Sequence, residues 1–196
     1  MTWIIVGLGN PGEEYQSTRH NTGRMALDYF AKSAGWDEWK DDKKAKARVV
    51  RGMLGKTAVV LVQPDTFMNK SGIAVIKFVK SQKSAERMVV LYDDLDLPLG
   101  ALKVSFNRGS GGHRGVESIM KAVKTKKFTR VRIGVSPTTP AGKLRKPAGE
   151  KAVLDFILAP FKPAELVELK KVFKKISEAL QVVVSEGPER AMNQFN

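Results

Sequence analysis

Short apolar, β-branched runs alternate with stretches whose apolar residues recur at helical spacing. Trp3 to Val6 reads as a buried strand, because its residues are apolar without interruption. His20 to Ala34 carries Met25, Leu27, Phe30 and Ala31 and predicts a helix. Arg48–Met53 and Thr57–Val62 flank Gly55-Lys56 and predict a hairpin. Met68 to Val79, with Ile73, Val75, Ile76 and Val79, predicts a second helix, and Val116 to Val123 a third. Met88–Tyr92 reads as a buried strand ending in acids, with further strands over Ala101–Phe106 and Val131–Val135. Leu166, Leu169, Phe173, Ile176, Leu180 and Val183 give the clearest amphipathic helix. The alternation predicts one α/β domain over residues 1–196, with a twisted, mixed central sheet flanked by helices. The Pro/Thr/Gly/Lys-rich stretch 137–150 is loop chemistry rather than a domain boundary.

Composition narrows the chemistry. The 196 residues include no cysteine, which excludes a disulfide framework, a thiolate metal site and a cysteine nucleophile. With only His20 and His113, a multi-histidine metal site is also disfavoured. The opening apolar run is too short for a leader or a span, and nothing else approaches the ~20 apolar residues a membrane helix needs. A cytoplasmic protein is expected. The formal net charge is +14, which calls for a polyanionic partner, nucleic acid first. From Lys121 to Lys151 there are ten Lys/Arg and one acid, Glu150, a block that reads as a phosphate-backbone footprint.

Gly7-Leu8-Gly9-Asn10-Pro11-Gly12 matches the spacing of a dinucleotide fingerprint, but Pro11-Gly12 runs into a loop rather than opening a helix. The acid expected ~20 residues on, at the end of a second strand, is missing. A tight turn that delivers Asn10 to the carboxyl end of the first strand explains the residues better. Gly55-Lys56-Thr57 lacks the earlier glycine of a phosphate loop, since position 50 is valine. Ser17 or Thr18 is expected to cap the next helix, which would put His20 in its first turn and favour the neutral imidazole a general base requires. Asp93-Asp94-Leu95-Asp96 lacks the Gly-then-Glu completion of a calcium loop. If extension persists, Asp94 and Asp96 share a face and Asp93 points away; one carboxylate orienting a histidine is the simpler reading. Asn69 could offer an amide donor to a carbonyl or oxyanion. The glycine-rich Gly109–Gly115 segment, carrying His113 and Arg114 before a helix, suits close backbone approach to a ligand.

Taken together and in order, Val6–Gly12, Tyr15, Thr18–Gly23, Pro64, Thr66–Asn69, Ser71-Gly72, Asp93–Pro98, Gly100, Gly111–His113 and the C-terminal Arg190–Asn193 resemble the bacterial-type peptidyl-tRNA hydrolase family end to end. The resemblance implies hydrolysis of the ester joining a peptide to tRNA, with no cofactor and no metal. It implies His20 as the base that activates water, Asp93 as the group that fixes its tautomer, and Asn10 as the sensor of the peptide's first carbonyl. Tyr15, Phe67, Met68 and Asn69 would line the cleft around the acyl group and the terminal adenosine, with His113 as a neighbouring wall. The implied partner is peptidyl-tRNA, contacted at its acceptor end and backbone phosphates by a monomer. One position departs: the family usually has Asn where this chain has Arg114, and a guanidinium donates but cannot accept. Arg114 is therefore expected to alter substrate affinity, by gripping a phosphate instead, while leaving the catalytic pair intact. A non-catalytic RNA-binding protein on the same fold is the alternative.

Overall fold

A computed structural model describes residues 2–36 and 38–196. Seven strands form one mixed sheet in the order β2-β3-β4-β1-β5-β7-β6. They are β1 (Thr2–Gly7), β2 (Lys40–Asp42), β3 (Ala47–Leu54), β4 (Thr57–Pro64), β5 (Met88–Pro98), β6 (Leu102–Phe106) and β7 (Thr129–Ser136). The central four, β4, β1, β5 and β7, run parallel, while β3 and β6 pair antiparallel at their flanks.

Strand alternation sorts the core into two layers. Ile5, Leu61, Val89, Leu91, Val131 and Ile133 face one side, under α1 (Thr22–Ser33), α6 (Pro163–Glu186) and α7 (Pro188–Phe195). Ile4, Val6, Val62, Met88, Val90 and Tyr92 face the other, under α2 (Ser71–Val75), α3 (Gln82–Ala85) and α4 (Arg114–Val123). A shorter helix, α5 (Glu150–Leu158), buries none of its residues. No helix among the described residues is long and apolar enough to cross a membrane.

Strand β1 has β4 on one side and β5 on the other, so the chain crosses β1 on its way from β4 to β5. Such a reversal of strand order opens a crevice at the carboxyl ends of the strands. The glycines of the first loop serve this junction. A Cβ on Gly7 would lie 2.6 Å from the Gly23 carbonyl oxygen, and one on Gly23 would lie 2.2 Å from that of Leu91. One on Gly9 would lie 2.8 Å from Asn21 Cγ. The paired glycines thus let the start of α1 seat against β1 and β5. Gly12, at φ +109°, makes the turn that follows.

Three elements, one helix cap and the basic block differ from expectation. The turn Arg19–Asn21 is a separate 3₁₀ segment, so His20 precedes α1 rather than lying in its first turn. Thr18 offers no side-chain cap; its hydroxyl donates to the Tyr15 carbonyl instead. The helix expected over Met68–Val79 breaks into a 3₁₀ turn at Met68–Lys70 and the short α2. Strand β5 continues through its acids to Pro98, with a register shift between Asp94 and Pro98, and Asp94 and Asp96 pair with Arg132 and Lys146. The basic block also divides: eight of its ten Lys/Arg are exposed, but Arg130 is fully buried, with its guanidinium 4.3 Å from the Phe128 ring centroid. Arg130 therefore belongs to the interior rather than to a phosphate footprint.

Candidate active site

At the crevice, residues from four distant parts of the chain meet. The turn before α1 brings His20, the loop after β1 brings Asn10, the segment after β4 brings Phe67, Met68 and Asn69, and β5 brings Asp93. The start of α4 adds His113 and Arg114, and α5 forms the opposite wall with Val153, Leu154, Ile157 and Leu158. Together with Tyr15 they line one cleft of about 820 Å³.

Asp93 is almost fully buried and lies between two imidazoles. His20 Nδ1 is 3.0 Å from both of its oxygens, and His113 Nε2 is 3.0 Å from Oδ1. Burial by itself would raise the Asp93 pKa, but the two histidines hold it well below the ordinary carboxylate value. An ionised carboxylate only accepts hydrogen bonds, so each facing nitrogen donates. For His113 a second contact fixes the same tautomer: its Nδ1 accepts the Val116 N–H at 3.3 Å as the cap of α4. His20 donates through Nδ1 and lines the cleft, which leaves Nε2 as its free nitrogen.

The balance at His20 runs opposite to the helix-dipole expectation. Burial lowers its pKa, yet the charge of Asp93 and their hydrogen bond outweigh that, and the net displacement is upward from 6.5. Arg114 pulls weakly the other way. The imidazole is thus a stronger base than an ordinary histidine.

His20, Asp93 and His113 place three ligand-type atoms within 4.8 Å of one another. A divalent ion there would have to displace the protons on His20 Nδ1 and His113 Nε2, and with them both hydrogen bonds to Asp93. The donor set suits a proton network better than a metal cage.

Asn10 is held on all sides. Its backbone N–H donates to Asn21 Oδ1 at 2.8 Å, and its carbonyl accepts from Asn21 Nδ2 at 2.9 Å. Its side-chain Oδ1 accepts the Met68 N–H at 2.9 Å. The amide NH₂ is therefore the group left uncommitted. Arg24, one helical turn beyond His20, donates to the carbonyls of Asn10 and Pro64 and ties the loop after β1 to the end of β4. Asn21 and Arg24 escaped sequence reasoning, although their spacing from His20 on one turn is a usable signal. Tyr92 is a third omission. It packs on the His113 ring with centroids 4.8 Å apart, and burial, with Asp94 adding to it, pushes its pKa up to about 12.

Asp94 and Asp96 also border the cleft, on a stretch of β5 whose register against β7 shifts between Asp94 and Pro98, so simple strand alternation does not separate them from Asp93. Asp94 bonds Arg132 Nε at 2.5 Å, and Asp96 pairs with Lys146. At the cleft mouth Arg114 Nη2 lies 2.5 Å from Glu150 Oε1. Asn69 and Phe67 are exposed on the rim, and Met68 is buried beneath them.

An imidazole–carboxylate centre in an open cleft, at the carboxyl ends of parallel strands, defines an α/β-class enzyme. The chain belongs to the peptidyl-tRNA hydrolase family, whose family model matches residues 4–196. It is 40% identical over 194 residues to the peptidyl-tRNA hydrolase of Aquifex aeolicus, covering 98% of this chain and 95% of that one. The Carboxydothermus hydrogenoformans peptidyl-tRNA hydrolase is also 40% identical, over 99% of this chain and 98% of its own. Among solved structures, the Acinetobacter baumannii peptidyl-tRNA hydrolase aligns with a TM-score of 0.86 at 31% identity, over 100% of this chain and 94% of that one.

Proposed function

We propose that the protein hydrolyses the ester between a peptide's terminal carboxyl and the tRNA ribose, with His20 as general base. The observation that carries this reading is the His20–Asp93 pair, which leaves Nε2 as the free basic nitrogen at the cleft. His20 Nε2 takes a proton from water as the water oxygen bonds to the acyl carbon. The tetrahedral intermediate collapses by breaking the carbon–oxygen bond to ribose, and the imidazolium returns the proton to the leaving oxygen. The products are the free peptide and tRNA. Such an ester is activated enough for one base and a few oriented donors.

Asn10 suits a donor role, because its Oδ1 is already taken by Met68 and its NH₂ is free to bond a carbonyl. A free aminoacyl group lacks the second carbonyl that a peptide offers, so this contact favours peptidyl over aminoacyl substrates. Tyr15, Phe67, Met68, Asn69 and His113 surround the acyl group and the terminal adenosine. The eight exposed basic residues between Lys121 and Lys151 face the backbone phosphates. In this reading the protein acts as a monomer, working in the cytoplasm where peptidyl-tRNA is made. The test is purified protein with peptidyl-tRNA, read as released peptide. Turnover supports the enzyme, whereas salt-sensitive tRNA binding without release would leave an RNA-binding protein.

Arg114 contributes to affinity in this reading. In the free protein its partner is Glu150, and both side chains are well exposed, at 62% and 83%. Exposed pairs are worth roughly 0–1 kcal/mol, so a substrate phosphate can replace the carboxylate. Arg114→Asn is expected to raise KM about two- to fivefold with kcat little changed, consistent with one such contact. Loss of its positive charge should also move the acid limb of the pH profile upward, since Arg114 lowers the His20 pKa. Steady-state kinetics across pH and salt measure both effects.

A further inference from the structure

The residue beside the proposed base has a separate task. Arg19 is nearly buried and its guanidinium is the hub of a cluster. Nη2 donates to both Glu165 oxygens, at 3.0 and 2.9 Å. Nη1 donates to the carbonyls of Ala159 and Pro160, at 3.2 and 3.0 Å. The guanidinium carbon also sits 4.5 Å from the Phe156 ring centroid and 5.1 Å from that of Phe161. Every one of these partners belongs to the last turn of α5, the connection after it, or the first turn of α6.

Helix α5 needs such an anchor. It buries no residue, yet Val153, Leu154 and Ile157 make the apolar wall of the cleft. At its amino end the Arg114–Glu150 pair is exposed and weak. At its carboxyl end Phe156 rests on Arg19, and the backbone of 159–161 pairs with Ser17, Thr18 and Arg19. The position of the wall is thus referred to the same three-residue turn that carries His20.

We propose that Arg19, clamped by Glu165, is a positioning residue that sets the gap between His20 and the α5 wall, and so tunes the fit of the acyl side chain next to the ester. The proposal rests on reading the cleft as the acyl site. A guanidinium is suited to this place because Nη2 holds the Glu165 carboxylate while Nη1 holds the Ala159 and Pro160 carbonyls and the planar group lies beside two rings; the single ammonium of a lysine cannot reach all of these partners at once.

The test compares wild type, Arg19→Lys and Glu165→Gln on two substrates, N-acetyl-phenylalanyl-tRNA and N-acetyl-glycyl-tRNA. Each variant is expected to raise KM for the phenylalanyl substrate about tenfold, the size of a lost apolar contact, with kcat within about twofold. For the glycyl substrate, which has no side chain to meet the wall, KM should stay within about twofold. Equal losses on both substrates, or a fall in kcat alone, would mean that Arg19 only stabilises the fold, and would overturn the proposal. If Arg19→Lys does not fold, Glu165→Gln carries the comparison, since Arg19 keeps its carbonyl and ring contacts there. Failure of wild type to release peptide from either substrate would sink the reading of the cleft, and this proposal with it.

Discussion

His20→Ala lowers kcat for peptidyl-tRNA cleavage by about 10³-fold, within the ~10²–10⁴ range that a positioned general base supplies. KM and the circular dichroism spectrum should stay close to wild type. The expectation follows from how little else depends on this imidazole. Its ring bonds only Asp93 among the described residues, and the Arg19–Asn21 turn is held by backbone bonds and by the Arg19 and Asn21 side chains. Removing the ring deletes the proposed proton acceptor but leaves Asn10 and the apolar wall in place, so residual binding persists. Near-normal turnover in this variant would remove the mechanism. Single-turnover measurements with excess enzyme distinguish a chemical defect from slow product release.

The second large effect is expected for Asp93→Asn, and it has two separable parts. An asparagine side chain can present either its oxygen or its NH₂ to His20 Nδ1, so the tautomer that leaves Nε2 basic is no longer enforced. That costs about 10²-fold in kcat at the pH optimum, the low end of what a general base contributes. The other part is a displacement along the pH axis. The carboxylate holds the His20 pKa above 6.5 against burial; without its charge, burial dominates and the pKa falls. A base works only when unprotonated, so wild-type activity declines as pH falls through a value above 6.5, and the variant's decline moves to lower pH. A kcat/KM profile that keeps the wild-type acid limb would show that Asp93 does not govern the ionisation of His20.

Local periodicity made most of the sheet and the three longest helices legible from the residues alone. Trp3–Val6 buries both faces of its strand, the Gly55-Lys56 hairpin turns between two strands, and the Leu166–Val183 stripe buries one side of its helix, and the residue patterns record each. Helix α5 left no such record, because it presents its apolar residues to an open cleft rather than to a core. The acids of β5 looked like the end of a strand because their partners, Arg132 and Lys146, lie 38 and 50 residues away. The same distance effect hid the sharing of Asp93 by two histidines. Sequence placed His20 and Asp93 together through family resemblance and put His113 nearby as a wall. Its direct bond to the carboxylate depends on the start of α4 passing over β5, a tertiary fact that no local pattern encodes. The direction of the His20 shift was misread for a related reason: a dipole argument from one turn was outweighed by a full charge 73 residues further along.

The centre is assembled across strands whose order in space differs from their order in the chain. Asp93 reaches His20 only once β5 has docked beside β1, and Arg19 meets its clamp only when Glu165 exists. A growing polypeptide that ends before α6 therefore holds its own reactive imidazole in an unfinished pocket. The acyl wall thus takes its final position only once the carboxyl-terminal part of the chain has been made.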